Sequence, residues 1–416
     1  MRIFHTADWH LGQTLHDFER DYEHSRFLEW LLEQIIAREP DALLIAGDVF
    51  DSVNPPATAH RMYFDFLGRA AAARPGLQIV VTAGNHDAAA RLEAPATLLN
   101  RFNVHVVGTV ERGCDGAIDY GKFLVPLHRI SGGVGALVLA VPYLRPSDVP
   151  QIRDVSDPYT EGICAFYQRL TDMAASVRDE RYAGAVLLGM GHCHLMDGAE
   201  SKDSERRLVV GGLEALRSEA FPRELCYVAL GHLHKPQAFD HGRVAYSGSP
   251  IPLSFAERGY EHRVWEVEIG AEGVLERRSL EIPRTVPLLR LPAGPAVAMN
   301  ELERILKNTD FAVSASREQH PFLEVRCLDD GPDPTRRPRI ERALAGKPVR
   351  LVNIKFEPVT KSGEADATGG FDGLGDLHSV DPYEVLRASY REYYEGAEPG
   401  EELWAAFREI LTEVSL

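Results

Sequence analysis

Residues 42–51 read ALLIAGDVFD. Five apolar residues in a row suit a strand buried on both faces, and the Gly-Asp that follows closes it in a turn. The same phrase recurs on either side. RIFHT (2–6) leads into Asp8 and His10, and QIVVT (78–82) leads into Gly84-Asn85-His86-Asp87. Further on, AVLLGM precedes Gly191-His192, and YVAL precedes Gly231-His232-Leu233-His234. Between the first two runs, YEHSRFLEWLLEQIIARE sets Phe27, Leu31, Leu32, Ile35 and Ile36 at helical spacing, and residues 158–178 also read as a helix. Strands are expected as well at 137–141, 185–190, 227–230 and 243–247. Alternating strands and helices predict a layered α/β domain, and the later strands, with fewer helices among them, predict a second sheet packed on the first.

That domain is expected to occupy residues 1–283. From 284 to 358 the pattern changes: PLLRLPA, PFLEVRC and PVRLVNIKFE read as strands, with helices at 298–307 and 339–345, which makes a small α+β capping or DNA-binding domain. TKSGEADATGGFDGLGD has no apolar period, so 359–380 reads as a flexible linker. From Asp381 to Leu416, Tyr383, Leu386, Tyr390 and Tyr393, then Leu403, Trp404, Phe407, Ile410 and Leu411, form the stripes of two amphipathic helices. A pair this short cannot bury both stripes alone, so it is expected to dock on something else.

With 416 residues, 44% hydrophobic and 26% charged, the chain has the balance of an ordinary globular protein. Its formal charge of −17 argues crudely against a nucleic-acid partner. The charge is uneven, however. Residues 361–416 carry 13 acidic and 4 basic side chains, a net of −9, so −8 remains for everything before them. RRPRIERALAGKPVR (336–350) carries six basic side chains and one acidic, which suits either a phosphate-tracking patch or a solvated helix face. Cys114, Cys164, Cys193, Cys226 and Cys327 form no C-x-x-C pair, and a reducing cytoplasm is expected. MRIFHTADWH lacks the apolar run of a signal peptide, and no stretch is long enough to span a bilayer.

The polar clusters carry the chemistry. Each follows a strand at its carboxyl end, where ligand sites form in open α/β sheets. Taken singly, D-x-H, G-D or G-H-x-H is an ordinary turn or a solvated loop. Together, Asp8, His10, Asp48, Asn85, His192, His232 and His234 are too many ligands for one ion and suit two ions sharing a carboxylate. Asp, Asn and His without thiolate favour Mn²⁺, Fe²⁺ or Zn²⁺. His194 and Cys193 are surplus to two filled shells.

D-x-H, G-D-x-x-D, G-N-H-D, G-H and G-H-x-H in this order resemble the calcineurin-like metallophosphoesterases. HTADWHLG, LLIAGDVFD, GNHDAAARL, VPYLRP, ALGHLHKPQ and YSGSPIPLSF are similar, more narrowly, to the SbcD family of nuclease subunits. The likeness is dense over 1–260 and thinner beyond 284. It implies one ion on Asp8, His10 and His234, a second on Asn85, His192 and His232, with Asp48 bridging, and Mn²⁺ as the metal. It implies His86 as the catalytic group that helps expel the leaving oxygen, oriented by Asp51, with Asp87 as rival. The implied activities are 3′→5′ exonuclease on duplex ends and endonuclease on single strands and hairpins, in DNA repair, recombination and replication. The implied partner is an SbcC-type ATPase docked on the C-terminal helices, in a heterotetramer built on a homodimer. This chain has no G-x-x-x-x-G-K-[ST] loop, so ATP dependence must come from that partner. Arg61, Arg91, Arg217 and Lys235 stand near the metal loops as possible DNA contacts. A small-molecule or phosphoprotein phosphoesterase of the same fold is the competing expectation, and a non-catalytic adaptor is a third.

Overall fold

The strands Arg2–Thr6, Ala42–Ala46 and Gln78–Thr82 lie side by side and parallel, with Thr6 opposite Ile45 and Ala46 opposite Thr82. Their carboxyl ends are therefore level, and the loops after them leave from one edge. The computed structural model describes residues 1–196, 198–201, 216–312, 316–331, 333–358, 387, 400, 403 and 404. It divides into two compact units, Met1–Pro358 and Val359–Leu416. The linker expected over 359–380, and nearly all of the helical pair expected after it, lie outside the described residues.

Val104–Val107 extends the first sheet on one flank, and the antiparallel strands Arg263–Gly270 and Gly273–Glu281 extend it on the other. The second sheet runs Gln237–Phe239, Val244–Tyr246, Leu225–Gly231, Val186–His192, Val134–Ala140, Leu124–His128. Period-two alternation sends each strand's side chains to opposite faces. Ala42, Leu44 and Ala46 point into the seam between the sheets, against the cluster that holds Leu137, Leu139, Leu187 and Ala229. Leu43 and Ile45 point outward, onto Phe27, Leu31 and Ile35 of the helix Asp21–Arg38 and Tyr63, Phe66 and Ala70 of the helix Ala57–Ala73. The helix Pro158–Arg181, whose N-terminus Asp157 caps by accepting from Tyr159 N and Thr160 N, covers the second sheet with Ile163, Phe166 and Leu170. Each fully buried Leu or Phe stabilises this arrangement by about 1.5–3 kcal/mol. The two-sheet α/β sandwich is the fold the sequence leads one to expect.

His5 is one of the polar residues that tie the sheets across the seam. It is fully buried, with Nε2 at 3.1 Å from Leu230 O and Nδ1 at 2.9 Å from Tyr227 Oη. The carbonyl can only accept, so Nε2 donates and Nδ1 accepts from the tyrosine. Burial pushes its pKa down to about 3, which keeps the ring neutral and the tie intact at working pH.

In the same unit, Leu288–Leu291, Phe322–Asp329 and Arg350–Pro358 form a parallel three-stranded sheet, joined by the helices Met299–Asn308 and Arg336–Ala343. Leu302, Leu306, Leu323, Val325 and Ile340 make its core. It meets the body where Phe322 packs with Leu15, Phe255 and Val286, its ring flanked by the guanidinium groups of Arg20 at 5.2 Å and Arg350 at 3.7 Å. The basic stretch 336–350 is largely engaged in holding this module together. Arg336 pairs with Asp329 and Asp330, Arg337 with Glu341 and Arg339 with Glu303. Lys347 donates to Leu306 O and Thr309 O, and Arg350 to His320 O. Of its six cations, Arg342 alone has no such partner among the described residues.

Candidate metal centre

The two stacked sheets approach most closely at the carboxyl ends of their inner strands, at Ala46 and Gly231. His192 closes its strand opposite Gly231, and its Nδ1 donates to Ala46 O at 2.9 Å across the seam. A β-carbon on Gly231 would collide with Ala46 O, and one on Gly84 with Asp48 Oδ1. Only glycine lets these loops approach so closely. Four of the converging residues carry left-handed backbone: Asp8 (φ 53°), His10 (46°), Asp48 (48°) and His232 (104°). For residues other than glycine this costs about 1–3 kcal/mol each and is tolerated only where the surroundings enforce it, typically at functional sites.

All seven expected ligands come together. Asp8, His10 and His234 present ligand atoms within 4.8 Å of one another, and so do Asp8, Asp48 and His192. Asn85 Oδ1 lies 3.0 Å from His192 Nε2 and 3.1 Å from His232 Nδ1. Asp48 Oδ2 stands between the two groups, 3.6 Å from His10 Nε2 and 3.3 Å from His192 Nε2. Six of the seven are buried, while Asn85 and the neighbouring His86 are half-buried at the mouth. Asp8 Oδ2 and His10 Nε2 are buried with no hydrogen-bond partner among the described residues. Orphaned acceptors of this kind are costly unless something else satisfies them. An oxygen- and imidazole-binding divalent cation fits the donor set.

The electrostatics agree. Burial pushes Asp8 up to about 7. Burial opposes the charge on His192, yet the adjoining Asp48 carboxylate outweighs it and raises the ring to about 9. Asp48 is held ionised, burial notwithstanding, by the imidazoles of His192, His10 and His86.

His86 N donates to Asp48 Oδ1 at 2.8 Å, and His86 Nδ1 donates to the main-chain oxygen of Asp51, also at 2.8 Å. Asp51 is the residue that meets His86, as expected, but through its main-chain oxygen, because its carboxylate is taken up by His10 Nδ1 at 3.1 Å. Asp87 does not orient His86. It is buried and accepts from Gly84 N, Val49 N and Phe50 N, pinning the second and third loops together. Burial pushes the Cys193 thiol up to about 12, and the side chain packs against the apolar core between the sheets. His194 pairs with Glu200 at 3.2 Å. No motif points to Glu257, a fully buried carboxylate 2.9 Å from His234 Nδ1. Of the expected DNA contacts, Arg91 is bound to Val53 O and Asn54, whereas Arg61, Arg217 and Lys235 are exposed.

A two-sheet sandwich with a carboxylate-linked pair of oxygen and imidazole cages at its strand ends defines a metal-dependent phosphoesterase. Residues 1–236 match the calcineurin-like phosphoesterase family, and residues 284–394 match the type 5 capsule protein repressor C-terminal domain. Over 355 residues the chain is 42% identical to the SbcD subunit of the SbcCD nuclease from Rhodobacter capsulatus, covering 85% of this chain and 87% of that one. It is 34% identical over 340 residues to the SbcD of Escherichia coli K12 (79% and 78% covered) and 35% identical over 278 residues to that of Bacillus subtilis (64% and 66%). The chain belongs to the SbcD nuclease branch of the calcineurin-like phosphoesterases.

Because protons occupy Asp8 and His192 near neutrality, metal uptake must displace them. Titrating chelator-treated protein with Mn²⁺ at about pH 7.5 is expected to release protons, visible as a buffer-dependent heat in calorimetry. Apparent affinity is expected to fall as pH drops through about 7, where Asp8 becomes protonated.

Proposed function

We propose that Asp8, His10 and His234 hold one divalent ion, that Asn85, His192 and His232 hold a second, and that Asp48 bridges them. We propose Mn²⁺ as the ion. The observation that carries this is the position of Asp48 Oδ2 between the two imidazole groups. Bound there, two ions supply a strong nucleophile from water at neutral pH and neutralise charge building on the phosphoryl oxygens. The chain's own residues supply the rest. Asp48 has its other oxygen on His86 N, so the bridging carboxylate and the proton donor are set against each other by one hydrogen bond. His86, half-buried at the mouth and tied through Nδ1 to Asp51 O, keeps Nε2 for the substrate, where it delivers a proton to the leaving oxygen.

The chain is a metal-dependent DNA nuclease subunit. Its proposed activities are 3′→5′ exonuclease on duplex ends and endonuclease on hairpins and single strands, in repair and recombination in the cytoplasm. An SbcC-type ATPase supplies the ATP dependence, and the proposed assembly is a homodimer of this chain joined to two ATPases. No helix among the described residues is long and apolar enough to cross a membrane.

Labelled hairpin duplex with Mn²⁺ is expected to be opened and shortened, with p-nitrophenyl phosphate turned over far more slowly; the reverse preference would return the chain to the small-molecule phosphoesterases. His86→Ala should retain both ions by elemental analysis yet lose about 10²–10⁴-fold in turnover, because a proton donor and not a ligand is removed. Truncation before Asp381 should abolish co-purification with the ATPase while sparing single-strand cleavage, and continued association would place the dock elsewhere.

A further inference from the structure

Glu257 lies 23 residues beyond His234 and is wholly buried. Its Oε1 meets His234 Nδ1 at 2.9 Å, and its Oε2 accepts from Leu253 N at 2.8 Å and from Ser249 Oγ at 3.3 Å. His10 is backed in the same way, by Asp51 Oδ1 on Nδ1 at 3.1 Å. In the other group, His192 is backed through Nδ1 by a main-chain carbonyl, and His232 Nδ1, 3.1 Å from the Asn85 amide oxygen, faces its own cage. Both carboxylate-backed imidazoles thus stand in the group that contains Asp8.

We propose that Glu257 is a positioning residue that fixes His234 as the Nδ1–H tautomer and makes the Asp8–His10–His234 cage the tighter of the two. This rests on the two-ion reading above. An ionised carboxylate can only accept, so the proton sits on Nδ1 and the lone pair of Nε2 is left for a cation. A carboxylate in this place also raises the basicity of the ligating nitrogen, and its loss typically weakens metal binding by about 10–100-fold. Glu257→Gln leaves a single acceptor oxygen. When Leu253 N takes it, the amide NH₂ faces Nδ1, the proton moves to Nε2, and the lone pair that would bind metal is blocked.

The test is Mn²⁺ titration of the full chain after chelator treatment, read by calorimetry and by the electron paramagnetic resonance of the coupled ion pair. Wild type is expected to take up two ions of distinct affinity. In Glu257→Gln the tighter class should weaken by about 10–100-fold while the other stays within about threefold. Glu261→Gln, which alters an exposed carboxylate four positions on, should change neither. Independently of any variant, ¹⁵N-resolved imidazole spectra of the metal-free wild type should show His234 protonated on Nδ1. Unchanged affinities in Glu257→Gln, an equal loss of both classes, or an Nε2–H tautomer in the wild type each overturn the proposal. Failure of the two-ion reading would look different: a wild-type chain binding fewer than two ions, which removes the ranking of the cages as well.

Discussion

Everything at this site depends on how closely two sheets approach at one edge. The link is the hydrogen bond from His192 Nδ1 to Ala46 O, with Gly231 pressed against the same carbonyl. Move the sheets apart by a methyl group and Asp48 could no longer stand within reach of both His10 and His192. The apolar seam behind it, from Ile3 and Leu44 to Leu187 and Ala229, fixes that separation. The strained backbone at Asp8, His10, Asp48 and His232 is the visible cost of the geometry. A few kcal/mol of local strain is sustained because dozens of buried side chains oppose its release.

The same closeness explains the charges. Asp8 and Asp48 in a dry pocket would repel each other, and burial opposes protonation of His10, His192 and His232 there. The outcome is a set of compromises, with Asp8 raised to about 7, His192 raised to about 9 and His232 driven well below its usual value. Such a cluster makes little sense as a stabilising device, because buried ion pairs seldom repay their desolvation. It is intelligible as a cation cage whose preferred charges are absent from the protein itself.

The candidate ligands were legible because each follows its strand by no more than a few residues, so a local pattern placed it. What escaped was whatever depends on distant chain. Glu257 sits in a loop with no metal-like spacing, and only the fold brings it to His234. The Asp51 role went to a backbone oxygen, which no side-chain motif encodes. The helix Ala57–Ala73 was readable in principle, since Ala59, Tyr63, Phe66, Leu67 and Ala70 share one face, but its alanines mute the apolar contrast. The antiparallel pair Arg263–Gly270 and Gly273–Glu281 joins the first sheet beside Arg2–Thr6, a pairing between opposite ends of the domain that local patterns cannot signal.

The stretch 336–350, which suits either a phosphate track or a solvated helix face, shows what local charge leaves open. Six cations in fifteen residues look like a phosphate track, yet Arg336, Arg337, Arg339, Lys347 and Arg350 are tied to carboxylates or carbonyls of their own module. A cation already paired releases few counterions when a phosphate approaches, so it adds little affinity. For a chain of net charge −17 whose proposed substrate is DNA, this stretch is therefore a weak source of attraction, and the exposed cations nearer the metal loops, Arg61, Arg217 and Lys235, are better placed to supply it.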